Sequence, residues 1–164
     1  MESVLHHLFE HNNWANKKMI ELCAGMSDFQ LDADPRSSTK GSIRETLIHL
    51  VRAQQGYLSL LTFPVQKRTS SSLAFGDLAE AAQVSGADLL SLLEREPSEF
   101  LSQRLQTTDG YLVEPWVVLI QAINHAAEHR EQISSMLSDL GIEPPHLDGW
   151  SYGESEGALT PVDV

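Results

Sequence analysis

Apolar residues recur at helical spacing in four stretches of the chain. In the first, Leu5, Leu8, Asn12, Ala15, Met19 and Cys23 share one face and predict a helix over about residues 3–24. "GMSDFQLDADPRSSTKG" then breaks the pattern. A second helix opens at "SIRE", where Ser42 and Glu45 have the spacing of a capping box, and runs to about residue 61. Asp77 and Glu80 repeat that spacing at the head of a third helix, which Pro97, lacking an N–H, closes. The fourth begins at Pro115, where a missing N–H costs nothing, and stops at Gly141, just before "IEPP".

The segments between are shorter and more polar. "TFPVQKRTSSSLAFG" reads as a mobile loop. In "QRLQTTDGYLVE" the Asp109-Gly110 pair, flanked by β-tolerant residues, permits a short hairpin before the last helix. From about residue 142 the chain reads as an irregular acidic tail, "HLDGWSYGESEGALTPVDV". Four amphipathic helices bury one another's stripes most simply in an all-α four-helix bundle. At 164 residues the chain suits one domain with a single core. The long loop after the second helix and the hairpin before the fourth permit crossovers.

Composition narrows the functional classes. Eleven basic against 23 acidic residues give a net charge of −12, which repels phosphate backbones and anionic lipid. Neither nucleic acid nor membrane is expected as a partner. No apolar run approaches the roughly 20 residues that span a bilayer, and the N-terminus lacks the pattern of a secretory signal. A lone cysteine, Cys23, excludes an internal disulfide and any cysteine-based zinc knuckle, and fits a reducing cytoplasm.

The candidate chemistry lies in "INHAAEHREQ". His125 and His129 are four apart on the flank of the fourth helix's apolar face, which runs along Val118, Leu119, Ala122, Ala126, Ile133, Leu137 and Leu140. Two imidazoles about 6 Å apart along a helix can converge on one metal ion. They can equally be two core histidines, each with its own hydrogen-bond partner. A third ligand must come from elsewhere. His49 is the best candidate, lying off the stripe of Ile43, Leu47, Leu50, Leu58 and Leu61, beside the small residues Ala53 and Gly56. An exposed polar His49 fits the wheel as well. His7 and His11 form a rival pair that reads as a solvated flank, and His6 and His146 read as surface.

Two sharper motifs fail. "HAAEH" matches the inverted zinc-protease signature, but Glu128 points about 100° away from His129 and only 35 residues follow. The only Glu-x-x-His, from Glu143 to His146, crosses two prolines and cannot be half of a di-iron site.

"LFEHNNWANKKMIELC", "SIRETLIHLVRAQQGYL" and "VLIQAINHAAEHREQISSMLSDLGIEPPHLDGW" together resemble, in that order, the signature regions of the DinB/YfiT-like family. The resemblance covers about residues 5–150. It implies a four-helix bundle that binds one divalent metal, nickel or zinc, through three histidines, which here are His49, His125 and His129. It also implies frequent homodimers. Among the family are metal-dependent thiol S-transferases and a maleylpyruvate isomerase, both using low-molecular-weight thiols, and many members without an established activity.

Three neutral imidazoles would leave an open position on such an ion. A thiol could then act as a nucleophile on a small organic electrophile, or an acidified water could serve a hydrolase. The competing class is a non-catalytic, stress-related metal-binding dimer. The cleft is expected to be mostly apolar, near Trp14, Met19 and Met136. Glu45 could orient His49, though its capping role is plainer. Arg130 could bind an anionic group, with a surface salt bridge as the simpler alternative. No general base can be named.

Overall fold

The structure, a computed structural model, describes residues 3–36, 41–69, 72–94 and 103–162. Helix α1 (Val4–Ala24) starts where the Ser3 hydroxyl accepts the His6 N–H. A single turn, α2 (Asp28–Leu31), follows. Helix α3 (Ile43–Thr62) opens with the expected capping box, Ser42 taking the Glu45 N–H and the Glu45 carboxylate taking the Ser42 N–H. Then come α4 (Leu78–Glu94), the strands β1 (Leu105–Gln106) and β2 (Leu112–Val113), α5 (Pro115–Asp139) and α6 (Gly149–Ser155). The hairpin pairs Leu105 with Val113, and Gly110 turns it at φ +92°, where a Cβ would be strained. Helix α5 ends as its sequence predicts. Gly141 takes φ +71°, its N–H donates to Ser138 O, and the Ile142 N–H donates back to Leu137 O.

Two apolar clusters fix the helix directions. One gathers Met19 and Cys23 from the end of α1, Ile43 and Leu47 from the start of α3, Leu78 from the start of α4, and Ile133 and Leu137 from the end of α5. The other gathers Phe9, Leu61, Leu89, Leu92, Val118 and Leu119 from the opposite ends. Helices α1 and α5 therefore run one way, α3 and α4 the other. Each of α1 and α3 packs against both α4 and α5, so α1–α3 and α4–α5 lie across the diagonals.

Parallel neighbours α3 and α4 require a connection that returns along the bundle. Helix α3 is about 30 Å long at 1.5 Å per residue, and the 15 residues 63–77 can reach about 50 Å. This strap is tied at both ends. Arg68 donates to Phe63 O and Gln106 O beside the end of α3, and the Phe75 ring lies 4.8 Å under the Arg44 guanidinium at its start. The segment read as a polar loop thus carries two 3-10 turns, Val65–Lys67 and Phe75–Asp77, near its anchored ends, and its residues 70 and 71 lie outside the described residues. Asp77 ends the second turn and leads directly into α4, so it does not form the expected capping box. Pro97 lies outside the described residues.

A belt of polar side chains separates the two apolar clusters. Asn16 donates to Gln54 Oε1 at 3.0 Å, and the Gln54 amide donates to Ala82 O and Ser85 Oγ at 2.9 and 2.8 Å. Arg130 Nη1 donates to Asn12 Oδ1 at 2.8 Å and Asn16 Oδ1 at 2.6 Å. Burying polar groups costs little when they are satisfied in this way, whereas Asn13 Oδ1 is buried without a hydrogen-bond partner among the described residues. Gly86 belongs to the same level, because a Cβ there would fall 2.6 Å from Asn13 Oδ1.

The acidic tail is not wholly irregular. Asp148 accepts the Trp150 and Ser151 N–H groups and starts α6, whose Tyr152 packs on Trp14 and His11 of α1. Among the described residues no helix is long and apolar enough to cross a membrane.

Candidate metal centre

Helices α3 and α5 are antiparallel neighbours, so a residue early in α3 meets one late in α5. His49 comes to lie opposite the His125–His129 pair. His49 Nε2 is 3.0 Å from His125 Nε2, and His129 Nε2 is 3.1 Å from the same atom. One ligand nitrogen from each ring lies within 4.8 Å of the other two. His129 is buried, while His49 and His125 are half-buried. Arg130 of the polar belt follows His129 in sequence, so the triad lies beside that belt.

Protonation states make the arrangement informative. His129 Nδ1 is 2.8 Å from Gln132 Oε1, an acceptor, so Nδ1 carries the proton and Nε2 presents a lone pair. His125 Nε2 makes both short contacts but holds at most one proton. In a neutral set no more than one of those contacts is a hydrogen bond, and the other brings like groups together. A cation satisfies all three at once. A tetrahedral zinc ion at about 2.05 Å holds its nitrogens about 3.3 Å apart, a few tenths of an ångström beyond the two short spacings. With the third spacing no more than 4.8 Å, the three histidines are positioned to hold a metal ion.

The triad opens onto a cleft of about 810 Å³, lined by His49 and His125, by Arg52, Tyr57 and Leu60 of α3, by Arg68 and Thr69 of the strap, and by Thr107 and Thr108 of the hairpin. The Tyr57 ring stands edge-on to His125 at 5.8 Å. Burial raises its phenol above the ordinary 10.0, a nearby Gln121 partly offsetting this, so it stays a hydrogen-bond donor at neutral pH.

The apolar cleft expected near Trp14, Met19 and Met136 is not what forms. Met19 and Met136 are buried in the core, and Trp14 stacks on His11 at 5.9 Å. Sequence reasoning did not single out Arg52, Tyr57 and Arg68. Only the small residues beside His49 marked that wall, and the crossover that delivers Arg68 follows from topology rather than local pattern.

The other candidates separate clearly. His7 Nδ1 bonds Glu10 at 2.9 Å, and His11 Nε2 bonds Leu147 O at 2.7 Å, so this pair does not converge. His11 is half-buried under the tail rather than solvated, because α6 covers it. The His6 side chain is 14% exposed beside Glu10, less open than expected, and His146 is exposed. Glu45 serves its cap. Arg130 is neither a surface ion pair nor a cleft residue: it is 5% exposed and held by two asparagines.

Two solved structures share the fold. A DinB-like protein from Bacillus subtilis superposes with a TM-score of 0.64 at 18% identity, over 87% of this chain and 98% of that one. A DinB-like protein from Bacillus cereus gives 0.63 at 14% identity, over 87% and 94%. A comparison with curated proteins finds no match. The sequence profile of the DinB family matches residues 1–161, and the chain belongs to the DinB family.

Proposed function

We propose that this chain is a metal-dependent enzyme of thiol S-transferase type acting on a small organic electrophile. His49, His125 and His129 would hold one divalent ion, zinc or nickel. The observation that carries the reading is the convergence of three Nε2 atoms at the wall of an open cleft, not inside a sealed core. A divalent ion there supplies Lewis acidity, which turns a thiol into a nucleophile near neutral pH.

The chain's own residues do the positioning. Gln132 fixes the His129 tautomer and so the direction of its lone pair. The Tyr57 hydroxyl, kept protonated by burial, is a donor for an electrophile's oxygen. The cleft volume lies within the range that holds a small ligand, and its mouth keeps the triad accessible.

The test combines elemental analysis with a screen of biological thiols against a chromogenic electrophile. About one ion per chain and thiol-dependent turnover are expected. Both should be lost in His129→Ala, and turnover should be lost under chelation. A fully loaded protein inert to every thiol would favour a second reading, in which the ion only stiffens the α3–α5 contact. That reading rests on the burial of His129 beside the polar belt.

A further inference from the structure

We infer that the end of the cleft away from the triad is an oxyanion subsite, built on Arg68, for the carboxylate or phosphate group of an elongated small molecule. The inference rests on the proposed function in taking this cleft as the substrate site.

The chain carries 23 acidic residues against 11 basic ones, yet among the described residues two arginines and no carboxylate line the cleft, Glu128 acting on Tyr57 only from beyond that lining. Arg36, Arg44 and Arg104 each lie against an aspartate or glutamate. Among the described residues Arg68 instead meets only backbone carbonyls: Nε to Phe63 O at 2.9 Å, Nη1 to Gln106 O at 2.6 Å and Nη2 to Leu60 O at 3.5 Å. Carbonyl dipoles orient the guanidinium without neutralising it.

A guanidinium has five N–H groups in a planar fork. Three go to those carbonyls, which leaves two for a ligand. The carbonyls belong to three elements, α3, the strap and β1, so the side chain is held rather than free to sweep through solvent. A cation fixed in advance loses little entropy on binding, which favours a planar or tetrahedral oxyanion. Thr69 and Thr108 also line the cleft.

Distance then sets the ligand's shape. His49 and Leu60 are 11 residues apart on α3, about 16 Å of helical rise. A molecule that reacts at the triad and is held by Arg68 must be extended, with its charge at the end remote from the reacting atom.

Isothermal titration of chelator-treated protein tests this apart from the metal site, using glutarate, glycerol 3-phosphate and the neutral glutaramide. At least one dianion should bind, although the chain's net charge opposes it, and glutaramide should not. Whichever dianion binds tells carboxylate from phosphate. Arg68→Gln should weaken that binding about tenfold or more, as the loss of a charged hydrogen bond does. Arg68→Lys should recover part of it. Because Arg68 also anchors the strap, the wild-type protein supplies a second measurement: rising salt should weaken dianion binding steadily. Glutaramide binding as well as the dianions, salt-independent affinity, or Arg68→Gln with wild-type affinity would each overturn the subsite. None of these outcomes bears on the metal, which elemental analysis tests by itself.

Discussion

Replacing Asn16 by alanine should destabilise the protein far more than the loss of one small side chain implies. Asn16 is 1% exposed, accepts from Arg130 Nη1 at 2.6 Å and donates to Gln54 Oε1 at 3.0 Å. Burial lowers the Arg130 guanidinium from 12.5 to about 10, so it is still charged at neutral pH and depends on its two asparagine oxygens. Removing one of them forfeits a charged hydrogen bond, about 1.5 to 3 kcal/mol, and an unpaired Gln54 oxygen adds about 1 to 3 kcal/mol. A total of about 3 to 5 kcal/mol is expected, in the range for breaking a buried charged network. Urea unfolding, with its slope unchanged, measures this directly. Lys17→Ala, which removes only an exposed 3.8 Å pair with Glu21, is the control and should cost under about 0.5 kcal/mol. A double-mutant cycle with Gln54→Leu should show clear coupling, since the two amides share a bond. If Asn16→Ala costs no more than the control, the belt does not secure the bundle and the reasoning fails.

Three further outcomes are expected. Chelation should lower the melting temperature without unfolding the chain, an effect of about 3 to 4 kcal/mol at metal several hundred times above its dissociation constant; a chain unstructured without metal would make the site structural. Gln132→Leu should leave the ligands in place but free His129 Nδ1, reducing metal affinity about 10- to 100-fold by competition titration; unchanged affinity would show that the tautomer is fixed by something else. Burial pushes the Cys23 thiol from 9.0 up to about 12, so it should resist thiol reagents at pH 8 until the chain unfolds. Because the unfolded chain loses that proton first, this group also makes stability fall as pH rises from about 9 to about 12, seen as a falling urea midpoint.

Local signals explain which parts of the fold were legible. The capping box at Ser42 and the Pro115 to Gly141 frame are short-range chemistry, and both set helix ends within a residue or two of those expected. The turn α2 was missed although Ser27 and Gln30 carry a capping box of their own, because four residues show no periodicity. Helix α6 was missed for a different reason. Seven residues, with no fully buried side chain, hold their place by packing Tyr152 on α1, which no pattern within the tail displays. The wheel put His129 on a flank, but its depth depends on α3 lying antiparallel to α5. Arg130 reads as surface for a similar reason: nothing beside a charged residue in the sequence shows partners more than 100 positions away.

The belt and the triad share one level of the bundle, and that placement bears on how an ion would be used. Apolar clusters above and below each draw on all four long helices, and on that packing the chain is expected to fold without metal. A zinc finger cannot do this, and its ion must be closed off by protein ligands to hold the fold. Here the hydrogen bonds among Asn12, Asn16, Gln54, Ser85 and Arg130 close the interior side of the level, so His49 and His125 can remain half-buried on the cleft side. On the proposed reading the ion is free to keep a position facing the cleft because the core does not depend on it. The same layout makes the activity and the fold separable. Asn16→Ala should weaken the bundle while retaining metal at saturating concentration, and His129→Ala should abolish metal binding while retaining most of the stability of the metal-free protein. If the two variants instead lose both properties together, the ion and the core are one cooperative unit, and the case for an open catalytic position falls.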